Sequence, residues 1–150
     1  MTEKEEERTE DLNYYRLNLI SMLKSSYPEL LDDEEFISNR SQEAAEAFED
    51  AVRSGSNYLD ASEEANRTLY AGLGFSKFDT IFAVLTEEFT KELEEEQFRP
   101  FALKMMPVCE DVFAKYELYE NFEDSPEYDA LYTEITGRIV TYIEDNGIDL

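Results

Sequence analysis

Apolar residues recur at steps of three and four along most of the chain, which is the spacing of one face of an α-helix. The first such stripe comprises Leu12, Tyr15, Leu19, Met22 and Leu23, and Pro28 ends it. Further stripes fall within residues 37–52, 61–73, 78–93, 100–113 and 128–143. No stretch alternates with the period of two that marks a half-buried strand. The pattern predicts an all-α fold, arranged as a compact single-domain bundle of about five to six helices.

Helix-start signals precede several of these stripes. Asp60 and Ser76 each stand just before an apolar stripe, and short oxygen-bearing side chains of this kind cap the first turn of a helix. Ser125 and Pro126 fit the cap and the first position of the last helix. Pro107 lies inside an apolar stripe, so we expect that helix to kink or to split between residues 106 and 108.

Two segments are more polar than the rest of the chain. Residues 1–10 are charged and lack an apolar stripe, which predicts an acidic flexible tail, with a ragged start of the first helix as the alternative. Residues 117–127 are polar with isolated aromatic side chains. This second segment is expected to be a loop held down by Leu118, Tyr119 or Phe122. The remaining chain, residues 11–150, is interpreted as one helical domain.

Charge changes the picture of what the protein can bind. The chain has 37 Asp and Glu residues against 13 Lys and Arg, a formal net charge of −24. Such a chain repels nucleic acid and anionic membranes, so neither is predicted as a partner. It attracts basic proteins over long range. Ten Phe and ten Tyr residues nevertheless supply a core, and the absence of a secretory or membrane-spanning stretch predicts a cytoplasmic protein.

The residues that usually carry chemistry are scarce. Histidine is absent and Cys109 is the single cysteine, which removes the Ser-His and Cys-His catalytic pairs and the usual zinc ligand sets. Cys109 stands among apolar residues, so we expect a buried, inert thiol. The carboxylate runs do not match the spacing of a calcium-binding loop. The sequence therefore predicts no catalytic residue, no metal site and no cofactor.

Three segments carry a resemblance to a known family. They are Tyr14-Tyr15-Arg16-Leu17, Gly72-Leu73-Gly74-Phe75-Ser76-Lys77-Phe78-Asp79-Thr80, and Ser125-Pro126-Glu127-Tyr128-Asp129 followed by Leu131-Tyr132-Thr133-Glu134. Together they resemble a bacterial domain-of-unknown-function family of short acidic proteins from gut and oral anaerobes. The resemblance extends from about residue 12 to residue 147. It implies an all-helical single domain and assigns no catalytic or binding residue.

Three functional hypotheses are compatible with these observations. The first is a non-catalytic protein-interaction domain whose partner is a basic protein or a second copy of the chain. The second is an acidic mimic of nucleic acid that binds a basic DNA-binding protein, since residues 117–150 hold ten acids and Arg138 as the one base. The third is an enzyme that uses carboxylates and a metal ion. The predicted interaction face consists of Glu117, Tyr119, Glu120, Glu123, Asp124, Glu127 and Asp129.

Overall fold

The computed structural model describes residues 2–150, and their regular structure is entirely helical. Two compact units are present, one ending at Leu73 and the other spanning Gly74–Leu150. In the first unit α1 spans Glu3–Ser26, α2 spans Glu34–Arg53 and α3 spans Tyr58–Tyr70, with a short 3₁₀ turn at Pro28–Leu30. In the second unit α4 spans Lys77–Glu88, α5 Glu95–Val108, α6 Glu110–Phe113 and α7 Tyr128–Asn146, with a 3₁₀ turn at Phe122–Asp124. The predicted all-α fold is confirmed.

Each unit has a core of its own. In the first unit the apolar stripes of the three helices meet at Leu19, Leu23, Ile37, Ala44 and Leu69, which are almost completely removed from solvent. In the second unit the core is larger and joins α4, α5, α6 and α7; it includes Phe78, Ile81, Leu85, Phe101, Met105, Phe113, Phe122, Leu131, Ile135 and Ile139. Burial of these apolar side chains is the main favourable contribution to folding of each unit.

An arginine of the neighbouring helix binds the C-terminal end of α3. Arg40 on α2 donates hydrogen bonds from Nη1 to the carbonyl oxygens of Thr68 and Leu69, both at 3.4 Å, and also to that of Ala71. Its guanidinium carbon lies 5.0 Å from the centre of the Phe36 ring. The last carbonyl groups of a helix have no partner within the helix, and a cation there also complements the helix dipole. Arg40 therefore joins α2 to the C-terminal end of α3.

Replacing this arginine is expected to weaken the first unit. Arg40→Met retains an apolar stem but removes the charge and the donors, so the free energy of unfolding should fall by about 1–3 kcal/mol. Urea denaturation followed by circular dichroism measures the loss. Arg67→Met is the matched control, because Arg67 is 68% exposed and pairs with Glu64 on its own helix; such pairs contribute about 0.5 kcal/mol or less. Equal losses in the two variants would contradict the role given to Arg40.

Of three predicted helix-capping residues, one is confirmed and two are wrong. Ser76 caps α4 as expected, with its Oγ accepting a hydrogen bond from the backbone N–H of Asp79 at 3.0 Å. The cap of α3 is Asn57 and not Asp60, because the Asn57 side chain accepts from the Asp60 N–H at 2.8 Å. Ser125 does not cap α7, since its hydroxyl donates to the Phe122 carbonyl at 2.6 Å. Short polar side chains near a helix start compete for this role, and sequence alone does not rank them.

The proline-containing helix breaks later than predicted. We expected the break between residues 106 and 108, but α5 includes both Pro100 and Pro107 and ends at Val108. Cys109 then separates α5 from α6, and its backbone has φ −94° and ψ 1°. Its N–H still bonds to the Met105 carbonyl at 2.9 Å. The helix thus continues for one residue beyond the proline.

The predicted domain boundaries remain predictions. Helix α1 begins at Glu3, so its first turns overlap the predicted tail at residues 1–10. Met1, the first residue of that predicted tail, lies outside the described residues. The flexibility of the segment, and the interpretation of residues 11–150 as one domain, are not decided by the division into two units.

Candidate interaction site

Phe122 anchors the predicted loop to the second unit. It is buried, and its ring makes edge contacts with Phe75, Tyr116 and Tyr119 at centroid distances of 5.5, 5.9 and 5.6 Å. Pairs of this geometry add to the apolar burial of the rings. Residues 117–121 and 125–127 lie outside the helices, as predicted for this loop. The expected anchoring is confirmed with Phe122 as the buried residue, while Tyr119 is exposed.

Two tyrosines at the start of α7 lie beside carboxylates from other parts of the second unit. The hydroxyl of Tyr132 donates to Oε2 of Glu87 at 2.6 Å and to Oε1 of Glu88 at 3.1 Å, both on α4. The Tyr128 ring lies 6.3 Å from the Tyr132 ring. We define the acidic face as Glu87, Glu88, Glu123 and Asp129 together with Tyr128 and Tyr132.

The charges of this face act on its tyrosines. Partial burial, followed by the hydrogen bonds to Glu87 and Glu88, raises the pKa of Tyr132. Burial also raises the pKa of Tyr128, a hydrogen bond with Thr80 opposes that change, and the charges of Glu87, Glu123 and Asp129 reinforce it. Both phenols are therefore neutral at physiological pH, and Tyr132 is the donor to the two carboxylates of α4. The negative charge of the face comes from its four carboxylates.

These four carboxylates are exposed, and no Lys or Arg within residues 2–150 forms an ion pair with any of them. Elsewhere in the unit, carboxylates do have basic partners: Lys115 pairs with Glu134 at 2.8 Å, and Lys77 pairs with Glu110 at 3.1 Å. Unpaired charges of one sign create a field that favours an oppositely charged partner. The acidic face is therefore suited to a basic ligand.

All seven residues of the predicted interaction face are exposed; they are Glu117, Tyr119, Glu120, Glu123, Asp124, Glu127 and Asp129. The charges of two of these residues, Glu123 and Asp129, act on the Tyr128 hydroxyl. The remaining carboxylates extend along residues 117–127, and none of them forms an ion pair with a base in the described part of the chain. Their role in binding stays a prediction.

Sequence reasoning missed Glu87 and Glu88. They lie on α4, about thirty positions before Glu117, where the predicted face begins. Nothing in the local sequence distinguishes them from the other acidic pairs of the chain. The informative contact is the pair of hydrogen bonds from Tyr132. Such a contact between distant segments depends on how α4 packs against α7, which residue types alone do not specify.

The structure also shows the surroundings of the single cysteine and of the possible metal ligands. Cys109 is fully buried, and burial raises the pKa of its thiol to about 12, in agreement with the expected inert thiol. Within residues 2–150, no three Cys, Asp or Glu side chains are grouped so that they could hold a metal ion. None of the described helices is long and apolar enough to cross a membrane.

The fold and this surface define a small all-helical protein with an acidic, tyrosine-bearing face. A family model named domain of unknown function (DUF1896) matches residues 7–148. The chain belongs to this family, which confirms the resemblance found in the sequence.

Among solved structures, the chain is similar to protein PG0816 from Porphyromonas gingivalis. The two are 41% identical with a TM-score of 0.82, and the match covers 97% of this chain and 99% of the other. No curated protein matches the sequence. Neither the family name nor the name of the relative states an activity.

Proposed function

We propose that this protein is a non-catalytic, cytoplasmic protein-interaction domain that binds a basic segment of a partner at the acidic face. The observation that carries the proposal is the pair of hydrogen bonds that join Tyr132 of α7 to Glu87 and Glu88 of α4. The charges of Glu123 and Asp129 act on the neighbouring Tyr128 and extend the negative surface. Carboxylates of this kind attract Lys and Arg side chains over long range. The tyrosine rings add contact area with little loss of side-chain freedom.

Side-chain burial supports binding over catalysis. The buried polar side chains of the described chain are Ser41, Ser76 and Thr80, and none of them is a carboxylate. A carboxyl group that acts as a general acid usually needs burial to raise its pKa toward neutrality. The carboxylates of the acidic face are exposed, which favours ion pairing with a partner over proton transfer.

A basic partner also fits the face better than a second copy of the chain does. Each copy carries a net charge of −24, so two copies repel one another over long range. Light scattering at moderate salt distinguishes a monomer from a self-associated chain. We expect it to give the mass of one chain. A stable dimer that dissociates on substitution in the acidic face would instead assign the face to self-association.

The charge dependence of partner binding tests the proposal. The variant Glu87→Gln/Glu88→Gln/Glu123→Gln/Asp129→Asn removes four charges and keeps the shape and the hydrogen-bonding capacity of the side chains. Exposed ion pairs contribute about 0.5 kcal/mol each, so partner affinity should fall by about tenfold or more. The measurement is capture of proteins from a bacterial lysate at moderate salt, followed by titration of each captured protein with the variant.

The matched control removes four other exposed charges of the second unit, through Glu92→Gln/Glu96→Gln/Glu144→Gln/Asp145→Asn. This control should retain the partner, and binding of the wild-type chain should weaken steeply as salt rises. Equal losses in the two variants would refute a localised face. Competition by duplex DNA for the same partner would instead support the nucleic-acid mimic, whose charge is repeated along a helical surface.

A further inference from the structure

A groove in the first unit combines an acidic wall with an apolar floor. The wall belongs to α1, and the floor belongs to α2 and the start of α3; the main lining residues are Glu7, Glu10, Asp11, Phe48, Val52 and Tyr58. Its volume is about 420 Å³. Grooves of this size accommodate a small ligand or one large side chain of a partner.

The floor consists of aromatic and aliphatic side chains, and two of them are exposed to solvent. The Tyr58 side chain is 76% exposed and Val52 is 47% exposed. Tyr58 is held in place by an edge contact with the half-buried Phe48 ring, at a centroid distance of 5.6 Å and an angle of 76°. Adjacent exposed apolar side chains are characteristic of binding surfaces. The face of an aromatic ring also attracts cations.

The wall carries three carboxylates that form no ion pair with any base that the structure describes, and the basic side chains nearby line the adjoining cleft; they are Lys4, Arg8 and Arg53. Within residues 2–150, Arg8 pairs with Glu49 at 3.0 Å, while Glu7, Glu10 and Asp11 form no ion pair with a Lys or Arg. Partial burial raises the pKa of Asp11, and the nearby charges of Glu49 and Glu10 add to that change. A cation placed in the groove would relieve the repulsion between these carboxylates.

We infer that this groove is a docking site for an arginine side chain of a partner protein. The guanidinium group is planar, so it can stack on the Tyr58 ring and donate paired hydrogen bonds to Asp11 or Glu10. Its three methylene groups would cover Val52 and Phe48. A lysine offers a more strongly hydrated point charge that fits the aromatic floor less well. This site is in the first unit and does not depend on the acidic face of the second.

The test uses the full chain and Nα-acetyl-arginine amide as the probe. Titration followed by nuclear magnetic resonance should give saturable shifts at residues 7–11 and 48–58, with a Kd of about millimolar order. Nα-acetyl-citrulline amide has nearly the same shape without the charge. Because hydrogen bonds between charged groups are stronger than those with a neutral partner, the citrulline probe should bind about tenfold more weakly than the arginine probe. Equal affinity for the two probes would overturn the inference.

Two pairs of variants localise the site. Glu10→Gln/Asp11→Asn should weaken arginine binding about tenfold, and Tyr58→Ala should weaken it severalfold. Glu29→Gln/Glu35→Gln removes the same charge from exposed positions outside the groove, and Tyr14→Ala removes an exposed tyrosine outside it; both should bind as the wild-type chain does. If the control variants lose as much affinity as the groove variants, the attraction comes from net charge and the site is refuted.

Two other occupants give different results in the same experiment. If spermidine saturates the groove at a tenfold lower concentration than the arginine probe, the groove takes free polyamines and the inference is wrong. If the same amide signals shift with protein concentration in the absence of any probe, the occupant is a second copy of the chain. Neither result would affect the acidic face, whose variants lie in the other unit.

Discussion

Phe101→Ala should lower the free energy of unfolding of the second unit by about 3–5 kcal/mol, the range for truncating a fully buried Phe. Phe101 is fully buried on α5, and its ring makes an edge contact with Tyr142 of α7 at a centroid distance of 6.2 Å. Truncation would therefore leave a cavity between two helices that meet in the core. The loss is measured by urea denaturation, together with hydrogen exchange of the α5 and α7 amides.

Leu103→Ala is the matched control for this variant. Leu103 lies on the same helix and is 40% exposed. Alanine is a good helix former at both positions. Partly exposed substitutions away from the core cost about 0.5–1 kcal/mol. If Phe101→Ala cost no more than Leu103→Ala, α5 would present a different face to the core of the second unit.

The sequence predicts the buried face of each helix well, because that face follows from apolar residues spaced three and four positions apart. The stripe read at Leu19 and Leu23 is fully buried in the first core, and Ile135 and Ile139 are fully buried in the second. Helix ends are less predictable, since several polar side chains can cap the same turn. Asn57 took the place expected of Asp60, since its Oδ1 accepts from the Asp60 N–H at 2.8 Å. The placement of such a side chain depends on the turn that precedes the helix.

The candidate sites were only partly predictable, because each brings distant segments together. Glu123 and Asp129 were predicted from a local run of acids. Their partners Glu87 and Glu88 required the packing of α4 against α7. The groove in the first unit was missed because its wall includes residues 7 and 10, which we expected in a flexible tail.

Both surfaces combine carboxylates with tyrosine rings, but they differ in geometry. At the acidic face the Tyr132 hydroxyl donates to Glu87 and Glu88, so this ring is fixed by its charged neighbours. In the groove, Tyr58 presents its ring and is held by Phe48. An extended basic segment suits the first arrangement, while a single guanidinium suits the second. Separate variants in the two units can therefore assign a partner to either surface.

Alkaline pH should unfold the protein through its tyrosines. Burial, followed by the charge of Asp11, raises the pKa of Tyr15 to about 12. The pKa of Tyr116 is raised to about 12, mainly by its hydrogen bond to Glu134 and to a smaller extent by burial. Burial and the hydrogen bonds to Glu87 and Glu88 raise that of Tyr132. Because each folded-state pKa lies above the unfolded value near 10, the stabilisation is complete below about pH 10 and is lost as pH rises through about 12.

Parallel titrations of tyrosinate absorbance and helical circular dichroism measure this transition. We expect part of the ten tyrosines to ionise only together with the loss of helix, between about pH 10 and pH 12. Tyr132→Phe removes one ionisable group beside two carboxylates, so its unfolding midpoint should move to higher pH. Tyr119→Phe changes an exposed tyrosine and should leave the midpoint unchanged. Ionisation of all tyrosines in one step near pH 10 with the helices intact would show that these phenols are not held neutral by burial and by their carboxylate partners.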